Sequence, residues 1–225
     1  MQITWKGQSC FEINASSGKN NGTAIIIDPF GEDLGLRVPK MEADILLVTH
    51  SHPDHDNIKA INPIKHSDGE PGMLIITGPG EYEKNGVFVQ GVPSFHDNKQ
   101  GKERGKNTCY VIDAEDIRIC HLGDLGQGEL TDEQLKEIGD VDILMIPVGG
   151  GPTIDASDAS KIVNQIEPRI VIPMHYDLPK LKAKLEDVEK FLKVMGKKGI
   201  QPQAKLSIKE KDLAKEETEV VVLQP

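Results

Sequence analysis

Cysteine is scarce: Cys10, Cys109 and Cys120 are the three in 225 residues, and no CxxC pair occurs. An odd number so placed excludes a disulfide framework and a sulfur-rich zinc site, and leaves the three as small buried hydrophobes. Long apolar runs are also missing. No stretch approaches the roughly 18 residues that a membrane span needs. The opening MQITWKGQSCFEI has neither the basic region nor the apolar block of a secretory leader, so a cytoplasmic location away from membranes is expected. Positive charge is in deficit, with 26 Lys and Arg against 36 Asp and Glu for a formal net charge of −10. Such a surface repels phosphate backbones and argues against general nucleic-acid binding. With 37% hydrophobic and 28% charged residues the composition is that of a globular chain, and the length suits one domain, 1–225.

What is present reads first as strands. Residues 3–5, 10–13 and 23–27 are short β-forming runs, with Ser16, Ser17, Gly18, Asn20, Asn21 and Gly22 marking a hairpin turn between the last two. The run DILLV at 44–48 is aliphatic and ends abruptly in polar THSHPDHDN, the signature of a buried strand that delivers a functional loop. Further strands are expected at 73–76, 87–90, 108–112 and 117–120. From residue 131, helices at 131–138, 155–167 and 185–195 alternate with strands at 142–146 and 170–172, Thr131 and Asp155 serving as N-caps. Strands at 204–208 and 220–223 follow, joined by the charged segment KEKDLAKEETE. The pattern is α/β. DILLV and the later DILMI at 142–146 resemble each other, each followed at once by a polar or glycine-rich loop, so a duplicated strand-loop unit stands beside chance as a reading.

The densest signal is His50-Ser51-His52-Pro53-Asp54-His55, which follows the DILLV strand directly. In an extended loop residues two apart point the same way, so His50 and His52 can share one ion. Pro53 then turns the chain and lets Asp54 and His55 face a second position. Nitrogen and carboxylate donors without thiolate suit zinc, manganese or iron alike. A polar cap on a helix starting near Pro53 is the competing reading. His96, Asp124 and His175 each lie where an expected strand runs out. Open sheets gather ligands at the carboxyl ends of their strands, so four strand ends can converge on one cavity. Taken singly each residue is a weak signal, since a Gly-Asp pair is usually a turn; together they complete a two-metal count.

The order HxHxDH, then a later His, then Gly-Asp, then a His after a PM strand end resembles the metallo-β-lactamase fold superfamily. The stretches ITWKGQSCF, IIIDPF, GPGEYE with GVFVQGVPSFHD, RGKNT and HLGDLG are similar to its small stand-alone branch of L-ascorbate-6-phosphate lactonase-like, metal-dependent hydrolases. The resemblance runs from Ile3 to about Leu223. It implies a four-layer αβ/βα sandwich, two facing sheets with helices outside, built from two similar halves, which accounts for the DILLV and DILMI echo. Position by position it implies that His50, His52 and His96 hold a first divalent ion, that Asp54, His55 and His175 hold a second, and that Asp124 bridges them. One departure is Gly7-Gln8, where many relatives carry glycine-histidine; Gln8 keeps a hydrogen bond and gives up a titratable group.

Two divalent ions, zinc first with manganese or iron as alternatives, bind a bridging hydroxide and polarise the group it attacks. The expected activity is therefore metal-dependent hydrolysis of a small anionic ester, lactone or phosphodiester, with Asp54 as the catalytic group that orients the nucleophile and shuttles its proton. The segment DNKQGKERGKN at 97–107 carries four cations against two carboxylates in an acidic chain. Arg104 with Asn107 is expected to recognise the anionic substrate group, a solvated turn being the competing reading. Gly149-Gly150-Gly151 either offers backbone N–H groups to an anion or forms a left-handed turn. His66 and His121 are placed outside the metal shell, and Asp28 is read as a support or turn former. The alternatives are a non-catalytic metal-binding or scaffold protein and a di-iron redox protein, the latter disfavoured because no flavin domain fits in this length. A homo-oligomer stays open.

Overall fold

A computed structural model describes residues 1–16, 22–38, 40–66, 72–213 and 217–225; most of the turn expected at 16–22 lies outside them. The first sheet takes β1 (Gln2–Gly7), β2 (Cys10–Ala15) and β3 (Thr23–Ile27). After β4 (Met41–Ala43) come β5 (Ile45–Leu47), β6 (Ile61–Pro63) and β7 (Leu74–Ile76), of which β5 and β7 extend that sheet while β4 and β6 pair as a separate ribbon. The second sheet starts with β8 (Gly80–Lys84), β9 (Val87–Phe95), β10 (Lys106–Ala114) and β11 (Ile117–His121). It continues with β12 (Ile143–Pro147) and β13 (Ile170–Met174), while β14 (Leu206–Ser207) returns to the edge of the first sheet and β15 (Glu219–Val220) closes the second. The strand orders are β14-β1-β2-β3-β5-β7 and β15-β13-β12-β11-β10-β9-β8.

Strand periodicity splits the aliphatic runs between two layers. Ile25, Ile27, Ile45 and Leu47 enter the core shared with β9 to β13, whereas Ile26 and Leu46 join Cys10, Phe30, Met41 and Ile61 on the other face. Burial on both faces is what an unbroken Ile/Leu run in a parallel pair implies, and β3, β5 and β7 are indeed parallel neighbours. All three cysteines are buried, as their scarcity and spacing suggest, and are unpaired.

The helices are α1 (Asp132–Ile138), α2 (Ala156–Ile166) and α3 (Val188–Val194). Thr131 and Gln134 form a capping box on α1, and the Asp155 carboxylate accepts from the Ser157 and Asp158 N–H groups to start α2. The third helix begins at 188 rather than 185, because Glu186 N–H donates to the Gly149 carbonyl in extended backbone and Asp187 caps the turn that follows. All three helices follow strands of the second sheet; among the described residues the outer face of the first is covered by 3-10 turns and the β4–β6 ribbon instead. No helix among the described residues is long and apolar enough to cross a membrane.

The DILLV and DILMI runs occupy equivalent places. Each of β5 and β12 pairs in parallel with the last strand of an antiparallel meander and with one further strand. Asp44 N donates to Ala24 O and Asp44 Oδ2 accepts from Ala24 N; Asp142 makes the same two bonds to Arg118. Even the remaining oxygens correspond, Asp44 Oδ1 facing His66 and Asp142 Oδ1 facing Arg169. Repetition at this level removes chance as the explanation of the echo.

Candidate metal centre

The loops that leave β5, β9, β11 and β13 meet at one edge of the sandwich. After β5 the chain does not become helical at Pro53: His55 N and Asp56 N both donate to the His52 carbonyl, which closes a tight turn. Thr49 holds the entrance of that turn. Its N–H donates to Asp28 Oδ1 at 2.8 Å and its hydroxyl to Asp28 Oδ2 at 2.8 Å. Since the hydroxyl proton is taken, Thr49 Oγ1 must accept from His50 Nδ1, 3.0 Å away. His55 Nδ1 lies 3.0 Å from Asp28 Oδ2 and donates to it. Both rings therefore turn their Nε2 atoms inward, and both of these atoms are buried without a hydrogen-bond partner.

Two sets of donors result: His50, His52 and His96 in one, and Asp54, His55, Asp124 and His175 in the other, the atoms of each set lying within 4.8 Å of one another. The link between them is Asp124 Oδ2, which is 3.2 Å from His55 Nε2, 3.3 Å from His175 Nε2 and 3.5 Å from His96 Nε2. The His50 ring centroid is 4.6, 4.2 and 4.8 Å from those of His52, His55 and His96. Four imidazoles so crowded cannot all be cationic. Burial and the neighbouring His55 push His50 down to about 3, and burial lowers His96 as well. Neutral imidazole nitrogens and carboxylate oxygens, several of them buried and unpartnered, are what a divalent cation requires, so these donors fit metal binding.

His55 behaves differently. Burial opposes its cation, but the carboxylates of Asp124 and Asp28 overcome that and raise its pKa well above the ordinary value, while Asp124 is held well below the usual carboxylate range because His175 and His55 outweigh its burial. The metal-free pair thus keeps a proton at neutral pH that a metal must displace. Below the raised His55 pKa the proton competes with the metal, and above it the competition ends, so apparent affinity at this set falls as the pH is lowered. Calorimetric metal titrations in buffers of different ionisation enthalpy are expected to show about one proton released on this account.

One expected site residue lies elsewhere than foreseen. Asn107, read as a substrate contact, is buried with its amide taken: Nδ2 donates to Ser94 Oγ and to the Leu122 carbonyl, and Oδ1 accepts from Asp124 N. It fixes the Asp124 backbone and presents nothing to a substrate. The Gly149 and Gly150 N–H groups donate to the His175 and Ile154 carbonyls, so they are closed to an anion, and Gly150 and Gly151 take the left-handed turn. A Cβ on Gly149 would lie 2.2 Å from the His175 carbonyl oxygen, which reserves this position for glycine. His66 faces Asp44, away from the centre. Arg104 is exposed, with His96 near enough to feel its charge. Asp28 supports both His50 and His55. Ser9 was missed altogether, although its hydroxyl donates to Asp124 Oδ1 at 3.0 Å.

A family profile described as a β-lactamase superfamily domain matches residues 2–175. A UPF0173 metal-dependent hydrolase of Thermococcus onnurineus is 33% identical, over 88% of this chain and 93% of that protein. The chain belongs to the β-lactamase superfamily, among its UPF0173 metal-dependent hydrolases. Another member of the group, from Thermococcus kodakarensis, is 28% identical over 100% of this chain and 97% of its own. A crystal structure from Thermotoga maritima, assigned as a Zn-dependent hydrolase of the metallo-β-lactamase superfamily, is 33% identical, covers 99% of this chain and 97% of that one, and has a TM-score of 0.77. The superfamily sandwich is thus the architecture of this hydrolase over nearly its whole length.

Proposed function

We propose that this hydrolase cleaves a small anionic ester, lactone or phosphodiester at a dinuclear centre. In this reading His50, His52 and His96 hold one divalent ion, Asp54, His55 and His175 hold the other, and Asp124 is shared. The observation that carries it is the single oxygen, Asp124 Oδ2, facing imidazole nitrogens from both donor sets at 3.2 to 3.5 Å. Two such ions, zinc first with manganese or iron compatible, supply Lewis acidity towards a carbonyl or phosphoryl oxygen and acidify the attacking water. Asp54 handles the proton. Burial works against its charge, but the His55 imidazole, 3.5 Å away, brings its pKa down to about 2, so it is an ionised acceptor with 32% of its side chain exposed. It accepts the proton of the nucleophile and returns it to the departing oxygen.

Substrate charge is read from the cleft beside His96, about 410 Å³ in volume and lined by Asn98, Arg104 and the Gly150–Ile154 turn. That volume suits a small molecule. The carboxylates along it are engaged. Burial opposes the Asp97 charge, but N–H groups of Arg104, Lys99, Glu103 and Gly101 hold its pKa down at about 2; Glu103 pairs with Lys99, Asp155 caps α2, and Asp158 pairs with Lys161. Arg104 has no carboxylate partner among the described residues and is left to bind an anionic group. An Arg104→Ala variant should raise KM about 10-fold or more, the scale of one charge-assisted hydrogen bond, with kcat and metal content unchanged. An unchanged KM for every active substrate removes Arg104 from recognition.

The reading itself is tested by elemental analysis of protein purified without added metal or chelator, followed by assays on phosphodiesters, lactones and esters. About two ions per chain with turnover supports it. No metal after attempted reloading makes a non-catalytic scaffold the better reading.

A further inference from the structure

The turn between β1 and β2 reaches three of the four residues in the second donor set. Gln8 N-terminal neighbour Gly7 has φ 103°, and Gln8 itself has φ 53°, a left-handed conformation uncommon for a side chain of its size. The Gln8 carbonyl accepts from His175 N at 3.1 Å and from Trp5 Nε1 at 2.9 Å, and its amide nitrogen lies 3.5 Å from Asp54 Oδ2. Ser9 is fully buried, and its hydroxyl donates to Asp124 Oδ1. Beneath it lies His121, a buried imidazole that the proposed chemistry does not use. Gly123 N–H can only donate, so His121 Nδ1 accepts from it at 3.1 Å, and His121 Nε2–H then donates to the Ser9 carbonyl at 2.9 Å. The bonds close a circuit from Asp124 to Ser9 to His121 and back to Gly123, next to Asp124.

We infer that Ser9, held by His121, is the positioning residue that turns Asp124 Oδ2 towards the metals. This rests on the dinuclear reading above. A carboxylate swings easily about its last torsion. With Oδ1 tied to Ser9, only Oδ2 faces the imidazoles of His55, His175 and His96; without that tie both oxygens compete for the ions. In the first donor set His50 is braced separately, through Thr49 and Asp28, and His96 Nδ1 is buried without a partner, so neither depends on Ser9. The effect of losing Ser9 therefore reaches the metals through Asp124 alone.

The test is a Ser9→Ala variant titrated metal-free with zinc and with cobalt(II), beside wild type, Ser9→Thr, Asp124→Ala and the Ser9→Ala/Asp124→Ala double variant. Far-UV circular dichroism checks the fold of each. Ser9→Ala is expected to bind its weaker ion about 10- to 100-fold less tightly, the scale for an orienting partner of a ligand, with an altered cobalt d–d spectrum. Ser9→Thr, which keeps the hydroxyl, should restore both. In the Asp124→Ala background the Ser9 change should add nothing. The readout is the displacement from wild type, so it decides at one ion or at two. Wild-type affinities and spectrum in Ser9→Ala overturn the inference alone, as does an effect that persists without Asp124. A wild type that binds no metal overturns the dinuclear reading and this inference with it.

Discussion

An Asp124→Asn variant is expected to keep its fold and to lose at least one of its metal ions, with turnover falling by more than about 100-fold. The magnitude follows from what the change removes. Loss of a residue that merely orients a ligand costs roughly 10- to 100-fold in affinity or activity, whereas Asp124 is the charged group whose Oδ2 faces imidazole nitrogens of both donor sets. An amide there carries no charge, and its nitrogen would point donors at imidazoles already turned to receive a cation. The fold survives for a specific reason. Removing one member of a buried ion pair is costly when its partner is left charged, but His55 can shed its proton and remains bonded to Asp28 through Nδ1. The backbone around Asp124 is fixed independently by Asn107 Oδ1 and by the Gly123 bond to His121. Elemental analysis, thermal unfolding and turnover on one preparation check the three parts of the expectation. Full metal occupancy with unchanged activity would remove Asp124 from the shared position.

The residues legible in the sequence were those whose chemistry and neighbours both lie close along the chain. The loop His50 to His55 announces itself by density, and the buried strand before it by an uninterrupted aliphatic run. His96, Asp124 and His175 were found because each follows a strand, and strands ending at one edge of a sheet converge. Their supports were harder to see. Ser9 and Asp124 are 115 positions apart, as far as His121 is from the carbonyl it bonds to within a few residues, and no local spacing encodes such a meeting. Asn107 misled in an instructive way: a polar residue in a basic loop reads as exposed, yet it begins a strand whose inward face needs an amide to satisfy the Leu122 carbonyl and Asp124 N–H. The strands β4, β6 and β8 escaped for a different reason. GEYEK has little strand propensity of its own and is extended because β9 supplies its hydrogen bonds.

Asp28→Asn is the substitution expected to separate metal binding from folding most cleanly. The backbone tolerates it, because Asp28 sits at φ 47° and asparagine is among the few residues at ease there. The carboxylate accepts three hydrogen bonds, from Thr49 N, Thr49 Oγ1 and His55 Nδ1. An amide can accept on one side only. If its oxygen serves Oδ2, its NH2 opposes Thr49 N–H, leaving a buried donor unmet at a cost of about 1–3 kcal/mol. If its nitrogen takes the Oδ2 place, Thr49 N–H stays bonded, but His55 Nδ1 now faces a donor and must give up its proton. The proton left on the ring is then the one on Nε2, the atom turned towards Asp124. Thr49 Oγ1 likewise becomes an acceptor from the amide, frees its own hydrogen for His50 Nδ1, and drives the His50 proton to Nε2 as well. One amide thus occupies the lone pairs of a histidine in each donor set. Metal affinity should fall about 10- to 100-fold at both, while stability changes by no more than about 3 kcal/mol. Long-range 15N–1H correlation spectra of the metal-free protein would show His50 changing from the Nδ1–H to the Nε2–H tautomer and His55 changing from a doubly protonated ring to one protonated at Nε2 alone. Rings that stay Nδ1-protonated with undiminished metal affinity would mean that Asp28 does not set the tautomers, and that the loop from Thr49 to His55 holds its own geometry.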